Sequence, residues 1–96
     1  MGGEPFYRDN PEEVLRLINK VVDTYSNIKI YVWTGYTYEE LYQRPSYTIS
    51  MILQSIDYLI DGPYIQEERD ITLKMRGSKN QRILRLRNGK IMVELP

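Results

Sequence analysis

The sequence predicts an α/β fold, with a small, mainly parallel sheet, helices packed against it and a β-hairpin at the C-terminus. Three observations carry this. Residues 11–25 repeat apolar side chains at helical spacing behind an Asn-Pro-Glu-Glu start. Two short β-rich runs, 28–33 and 56–60, flank helix-length sequence, the pattern of a right-handed strand–helix–strand unit with parallel strands. Asn88-Gly89 lies between two alternating runs, and that dipeptide favours the two-residue turn of a hairpin.

In chain order, residues 1–9 read as a loop. Asn10 is expected to cap the first helix, with Pro11 in the first turn and Glu12 and Glu13 complementing its dipole. Leu15, Ile18, Val22 and Tyr25 form its apolar stripe, with Val14, Leu17 and Val21 beside them, and Ser26-Asn27 ends it. The run Ile28 to Trp33 carries large side chains on both faces except at Lys29, which predicts a mostly buried, parallel strand. Thr34-Gly35 breaks it. Thr37 with Glu40 matches a capping box, so residues 38–43 are expected to be a short helix. A second helical piece is expected over 47–55, beyond Pro45, and a strand over 56–60, ended by Asp61-Gly62-Pro63. Residues 64–79 show no usable period. Strands are expected over 82–87 and 90–95. Tyr25, Tyr31, Tyr47 and Tyr58 fall at apolar-pattern positions and are expected in the core or at its rim.

With 96 residues, the chain is read as a single domain, 1–96, of marginal stability. It contains no Cys and no His, which removes disulfides, thiolate metal sites, iron–sulfur ligands and the commonest general base. No catalytic or metal-ligating residues are therefore assigned. No run is long and apolar enough to span a bilayer and no signal pattern precedes it, so a cytoplasmic protein is expected. Net charge is zero but polarised: residues 1–68 carry eleven acidic and five basic side chains, residues 69–96 two and eight.

Gly2-Gly3-Glu4-Pro5, Thr34-Gly35-Tyr36 and Asp61-Gly62 share an expected position at C-terminal strand ends, where α/β folds bind ligands. Gly2-Gly3-Glu4-Pro5 resembles the GGEP motif of radical S-adenosylmethionine (SAM) enzymes. Val32 to Tyr36 with Glu39-Glu40-Leu41 is similar to the WTGY segment of one branch, the anaerobic ribonucleotide reductase activating proteins. Ile56 to Gly62 resembles that branch's D-x-L-x-DG strand, and Arg76 to Arg82 its RGSxNQR segment. Together the motifs cover residues 2–87 in the family's order.

The resemblance implies the second half of a partial (βα) barrel. It implies a parent whose three-cysteine [4Fe–4S] cluster cleaves SAM, and whose deoxyadenosyl radical then oxidises a glycine of the partner anaerobic ribonucleotide reductase. By the same resemblance Gly2, Gly3 and Glu4 cradle the methionyl ammonium, with Thr34 and Asp61 as further SAM contacts. Arg76, Ser78, Asn80 and Gln81 are expected to close the site or meet the partner. Two departures stand out: Met1 replaces the usual Ser or Thr before the first Gly, and Pro63 stands where some members carry Lys. The cluster-binding CxxxCxxC loop precedes GGEP in the family, whereas this chain starts at the motif. It is therefore expected to be a piece lacking the cluster-binding half, to bind neither cofactor firmly, and to be inactive alone. The uncovered strand edge predicts a homodimer of the fragment. Two alternatives stay open: an activase of another glycyl radical enzyme, and a non-catalytic interaction module with a basic hairpin. Against nucleic acid as its ligand stand the neutral net charge and the few exposed-looking aromatics.

Overall fold

The computed structural model describes residues 3–96. An opening loop leads into α1 (Asn10–Thr24), β1 (Tyr31–Trp33), α2 (Tyr38–Tyr42), α3 (Tyr47–Ser55) and β2 (Tyr58–Asp61). A single 3-10 turn (Gln66–Glu68) interrupts the long connection to β3 (Arg82–Arg87) and β4 (Lys90–Leu95). The strands lie in the order β1-β2-β3-β4.

Local chemistry sets most of these bounds. The Thr37 hydroxyl accepts from the Glu40 amide and the Glu40 carboxylate accepts from the Thr37 amide, closing the expected capping box. Ser46 caps α3 through the Ile49 amide at 3.2 Å. Asn88 (φ 53°) and Gly89 (φ +81°) both take the left-handed conformation of a type I′ turn. A Cβ at Gly89 would lie 3.1 Å from Gln54 Cγ, so a side chain there would be strained in backbone conformation and would press on Gln54 as well. The start of α1 differs from expectation. Asp9 is the N-cap and makes no side-chain cap bond, while the Asn10 side chain turns back to donate to the Glu4 carbonyl at 2.8 Å.

The sheet is mixed rather than mainly parallel. Only β1 and β2 run parallel; β2–β3 and β3–β4 are antiparallel. The reason lies in residues 64–79, which contain one 3-10 turn and no helix to carry the chain back across the sheet. The chain instead turns round at the C-terminal end of β2 and re-enters beside it.

Alternation along the strands gives the sheet two different faces. Val32, Leu59, Asp61, Arg82, Leu84 and Leu86 point to the helices by register. There Leu59, Leu84 and Leu86 join Ile18, Tyr38, Leu41, Ile49, Ile52, Leu53, Ile56 and Phe6 in one buried core. All three helices contribute to it. The opposite face carries Tyr31, Trp33, Tyr58, Ile60, Ile83, Arg85 and Arg87, and among the described residues no helix packs on it. β1 is an edge strand and is not mostly buried: Tyr31 is 40% and Trp33 50% exposed. Tyr25 and Tyr47 are also exposed, against expectation, and Leu17 and Val22 lie on the outer side of α1. α1 buries the stripe containing Pro11 and Ile18, with Val14 and Leu15 packed beside it.

Tyr38 links two of these parts, its buried hydroxyl donating to the Gly89 carbonyl at 2.5 Å. Burial pushes its phenol above the usual value of 10.0, because the charged form would lose hydration. The folded state therefore holds the proton more tightly than the unfolded one. Its contribution is complete below pH 10 and is lost as pH rises further. Alkaline titration followed by circular dichroism should show this loss in the native chain. Tyr38→Phe should remove it and lower stability at neutral pH by about 0.5–1.5 kcal/mol.

Candidate functional site

The loop at residues 3–6 is built around the Glu4 side chain. Its Oε2 accepts from the Thr34 hydroxyl at 2.6 Å and the Phe6 amide at 3.1 Å, and its Oε1 accepts from the Gly35 amide at 2.6 Å. One carboxylate thereby ties the loop to the C-terminal end of β1, thirty residues along the chain. Thr34 is only 4% exposed, and its hydroxyl oxygen also accepts from the Tyr36 amide at 3.1 Å. The backbone fixes the same corner, with Thr34 N–H donating to Ile60 O at 2.9 Å and Gly62 N–H to Tyr36 O at 2.8 Å.

Phe6, in a stretch whose sequence predicts only a loop, anchors this arrangement. It is fully buried in the helix-side core. Its carbonyl accepts from Arg44 at 2.9 Å, and the Arg44 guanidinium lies 4.3 Å from the centre of the Tyr36 ring. The loop is therefore held at both ends by groups whose positions the core determines. An open groove of about 530 Å³ runs alongside, lined by Gly3, Glu4 and Pro5 and by Tyr31, Val32 and Trp33 of the edge strand.

Gly3, Glu4 and Thr34 thus come together. Gly2 lies outside the described residues. Asp61 is placed differently from the other expected ligands: it is fully buried and its oxygens are engaged within the protein. Oδ2 accepts from the Tyr38 amide at 2.7 Å, at the start of α2. Both oxygens receive the Arg82 fork, at 3.0 Å from Nε to Oδ1 and 2.5 Å from Nη2 to Oδ2. Arg82 reaches Glu39 as well, at 2.7 Å. Asp61 first and Glu39 second hold the Arg82 guanidinium well above its usual range. Arg82 in turn draws the Glu39 carboxyl below its ordinary value. Three elements, α2, β2 and β3, meet at this cation, and nothing in local sequence marked it.

Residues 76–82 form a second built loop. Ser78 is fully buried; its hydroxyl donates to Asn80 Oδ1 at 2.6 Å and accepts from the Ile65 amide at 3.2 Å. Asn80 donates to Pro63 O at 2.7 Å and Gln81 to Gly62 O at 3.0 Å, while Arg76 donates to Gln81 O at 2.8 Å. Gly62 has φ +103° and backs onto Gln81 Cα, so the chain passes closely there. These side chains seat the connection on the end of β2. The Trp33 indole N–H donates to Met75 O at 2.5 Å, which draws the same connection over the end of β1. Pro63 is exposed beside it.

Residues 1–84 match the family described as "4Fe-4S single cluster domain". The chain belongs to that family. It is 40% identical over 84 residues to the anaerobic ribonucleoside-triphosphate reductase-activating protein of Vibrio cholerae, covering 88% of this chain and 52% of that protein. The protein of the same name from Haemophilus influenzae is 40% identical over 86 residues, covering 90% and 53%. The one from Enterobacteria phage T4 is 36% identical over 84 residues, covering 85% and 48%. The chain thus spans about half the length of these curated relatives. No solved structure matches it. The family name implies an iron–sulfur cluster, but these 96 residues do not fit one. They contain no Cys, and among the described residues no group of three His, Cys, Asp or Glu side chains is placed to hold a metal. Among the described residues, too, no helix is long and apolar enough to cross a membrane.

Proposed function

We propose that this chain is the cysteine-free part of a radical SAM activase and forms the wall of its site that receives the methionyl end of SAM. The observation carrying this is the Glu4 carboxylate, held rigid by Phe6, Thr34 and Gly35 at the edge of an open groove. A carboxylate offers roughly four acceptor positions. Three are used internally, so one remains for a donor arriving from the groove. A primary ammonium suits it, with the Gly2 and Gly3 carbonyls as further acceptors. The buried Thr34 hydroxyl fixes the carboxylate's orientation rather than meeting ligand itself. Asp61, by way of Arg82 and the start of α2, supports the wall from behind.

The parent activity we infer is formation of a glycyl radical on anaerobic ribonucleotide reductase, in the cytoplasm, through a 5′-deoxyadenosyl radical. Cluster ligands would come from sequence outside these 96 residues, and the chain alone is inactive. The relatives' names and the GGEP-like loop support this reading over an activase for another glycyl radical enzyme. The fold corresponds in this view to part of a (βα) barrel, and the exposed edge of β1 supports association of the isolated chain with a second copy.

Titration of the isotopically labelled chain with SAM, followed by amide chemical shifts, tests the proposal. Shifts are expected at Gly3, Thr34 and Gly35 with millimolar affinity, weakened about tenfold in Glu4→Gln, the loss of one charge-assisted bond. 5′-Methylthioadenosine, which lacks the ammonium, should leave these amides unmoved. SAM shifts confined to other residues, or insensitive to Glu4→Gln, would overturn the assignment. With dithionite and SAM the chain should form no 5′-deoxyadenosine.

A further inference from the structure

The helix-free face of the sheet carries a second feature, independent of the loop at residues 3–6. By strand register, Arg85 and Arg87 of β3 and Lys90 of β4 all project from it. All three are exposed, as is Lys29 just before β1. Lys29, Tyr58, Arg85, Arg87 and Met92 line a groove of about 430 Å³ at the end of the sheet away from Glu4. Asp57 is the carboxylate at its wall, and its Oδ2 already accepts from the Ile30 amide at 2.8 Å.

Among the described residues the ion pairs involve only Arg16 and Arg82 as cations, so these four basic groups have no acidic partner within the fold. Arg87 stands directly opposite Lys90 across the strands. Like charges in that position destabilise a hairpin, a cost the sequence retains. An anion in the groove would relieve it. Exposed Met92 (57%) and Val93 (42%) adjoin the cations and offer an apolar contact. The nearest rings, Tyr31 and Tyr58, are stacked on each other with centres 4.7 Å apart and planes 9° from parallel. Each ring thereby covers one face of the other, and it is the concentration of cations at the groove, rather than aromatic surface, that marks this end of the sheet.

We propose that this groove is a docking surface for an acidic polypeptide segment with interspersed apolar residues. Lys29, Arg85 and Arg87, which line it, meet its carboxylates, Lys90 adds positive charge opposite Arg87 at its margin, and Met92 and Val93 meet its apolar side chains. Such a surface chiefly sets association rate and partner choice.

The probe is a twelve-residue peptide of alternating Glu and Leu, titrated by calorimetry across a salt series. Its Gln/Leu counterpart and an oligothymidylate are run beside it. The acidic peptide should bind, more weakly as salt rises, and lose about tenfold or more in affinity in the double variant Arg85→Glu, Arg87→Glu. Both positions are exposed, so circular dichroism should show the fold intact. Lys74→Glu, a charge change outside the groove, should leave binding unchanged. The proposal fails if the peptide does not bind, if the double variant binds it equally well, or if the oligothymidylate binds more tightly. It also fails if light scattering shows a dimer that only the double variant returns to monomer, which would give the face to a second copy of the chain.

Discussion

Arg82→Ala should be the most destabilising single exchange on the sheet. It leaves Asp61, fully buried, without its cation, and an uncompensated buried charge of this kind costs about 3–5 kcal/mol. Against the roughly 5–15 kcal/mol typical of a small domain, that removes a large fraction of the stability. Guanidinium titration followed by circular dichroism reads the effect directly. Two companions separate its causes. Glu39→Gln removes the exposed partner of the same arginine and should cost no more than about 1 kcal/mol. Asp61→Leu with Arg82→Leu removes both charges and should recover much of the loss. A deficit of about 1–3 kcal/mol should remain, because the Tyr38 amide then has no acceptor. An Arg82→Ala chain as stable as the native one would refute the account of the Asp61 cluster. The acid limb carries a further sign. Glu39 titrates lower in the folded than the unfolded state, so its contribution is present above pH 4.5 and is lost as pH falls through the lowered value. Arg82→Ala should abolish that part of the acid sensitivity.

Phe6→Ala should cost about 3–5 kcal/mol, the usual range for truncating a buried aromatic ring. Its second effect concerns the site. With the ring gone, the loop at residues 3–6 loses its one apolar anchor and is held by hydrogen bonds alone, so the Phe6 amide is free to move away from Glu4. Amide shifts of Thr34 and Gly35 should move toward those of Glu4→Gln, even under conditions where circular dichroism shows the helices retained. Phe6→Leu, which keeps most of the volume, should cost less than about 1.5 kcal/mol and leave those amides near their native positions. Equal effects from the two exchanges would mean that the loop is held by hydrogen bonds alone.

Several elements were legible because their signals are local. The Thr37–Glu40 capping box, the helix over 47–55 and the Asn88-Gly89 hairpin each depend on residues within a few positions of one another, and each lies where the sequence places it. What eluded the sequence depends on distant partners. Strand direction beyond β2 was decided by how residues 64–79 fold back, through single bonds from Ser78, Asn80 and Gln81 that no periodicity encodes. The apolar side chains of β1 resemble those of a buried central strand, whereas it lies at the sheet edge, where burial depends on a neighbour that local sequence does not name. At the candidate site, Glu4 and Thr34 meet as their shared strand-end position suggested. Asp61 satisfies the same positional rule, yet its carboxylate serves Arg82 and Tyr38, because a fully buried charge takes a protein partner when one is in reach. Phe6 and Arg82 had no sequence signal beyond an aromatic residue beside a motif and a basic residue at the start of a strand.

The bond from Trp33 to Met75 has a practical side. Trp33 is the chain's sole tryptophan, so emission excited beyond the absorption of its nine tyrosines comes from one half-exposed indole at the junction of the edge strand, the Gly3–Pro5 groove and the seat of the 64–79 connection. The molecule carries its own optical gauge of that corner. Lifting the connection off the sheet would hydrate the indole N–H and redden its emission, whereas a guest settling in the adjoining groove would dry the ring and shift it blue. The two events are told apart without any added label.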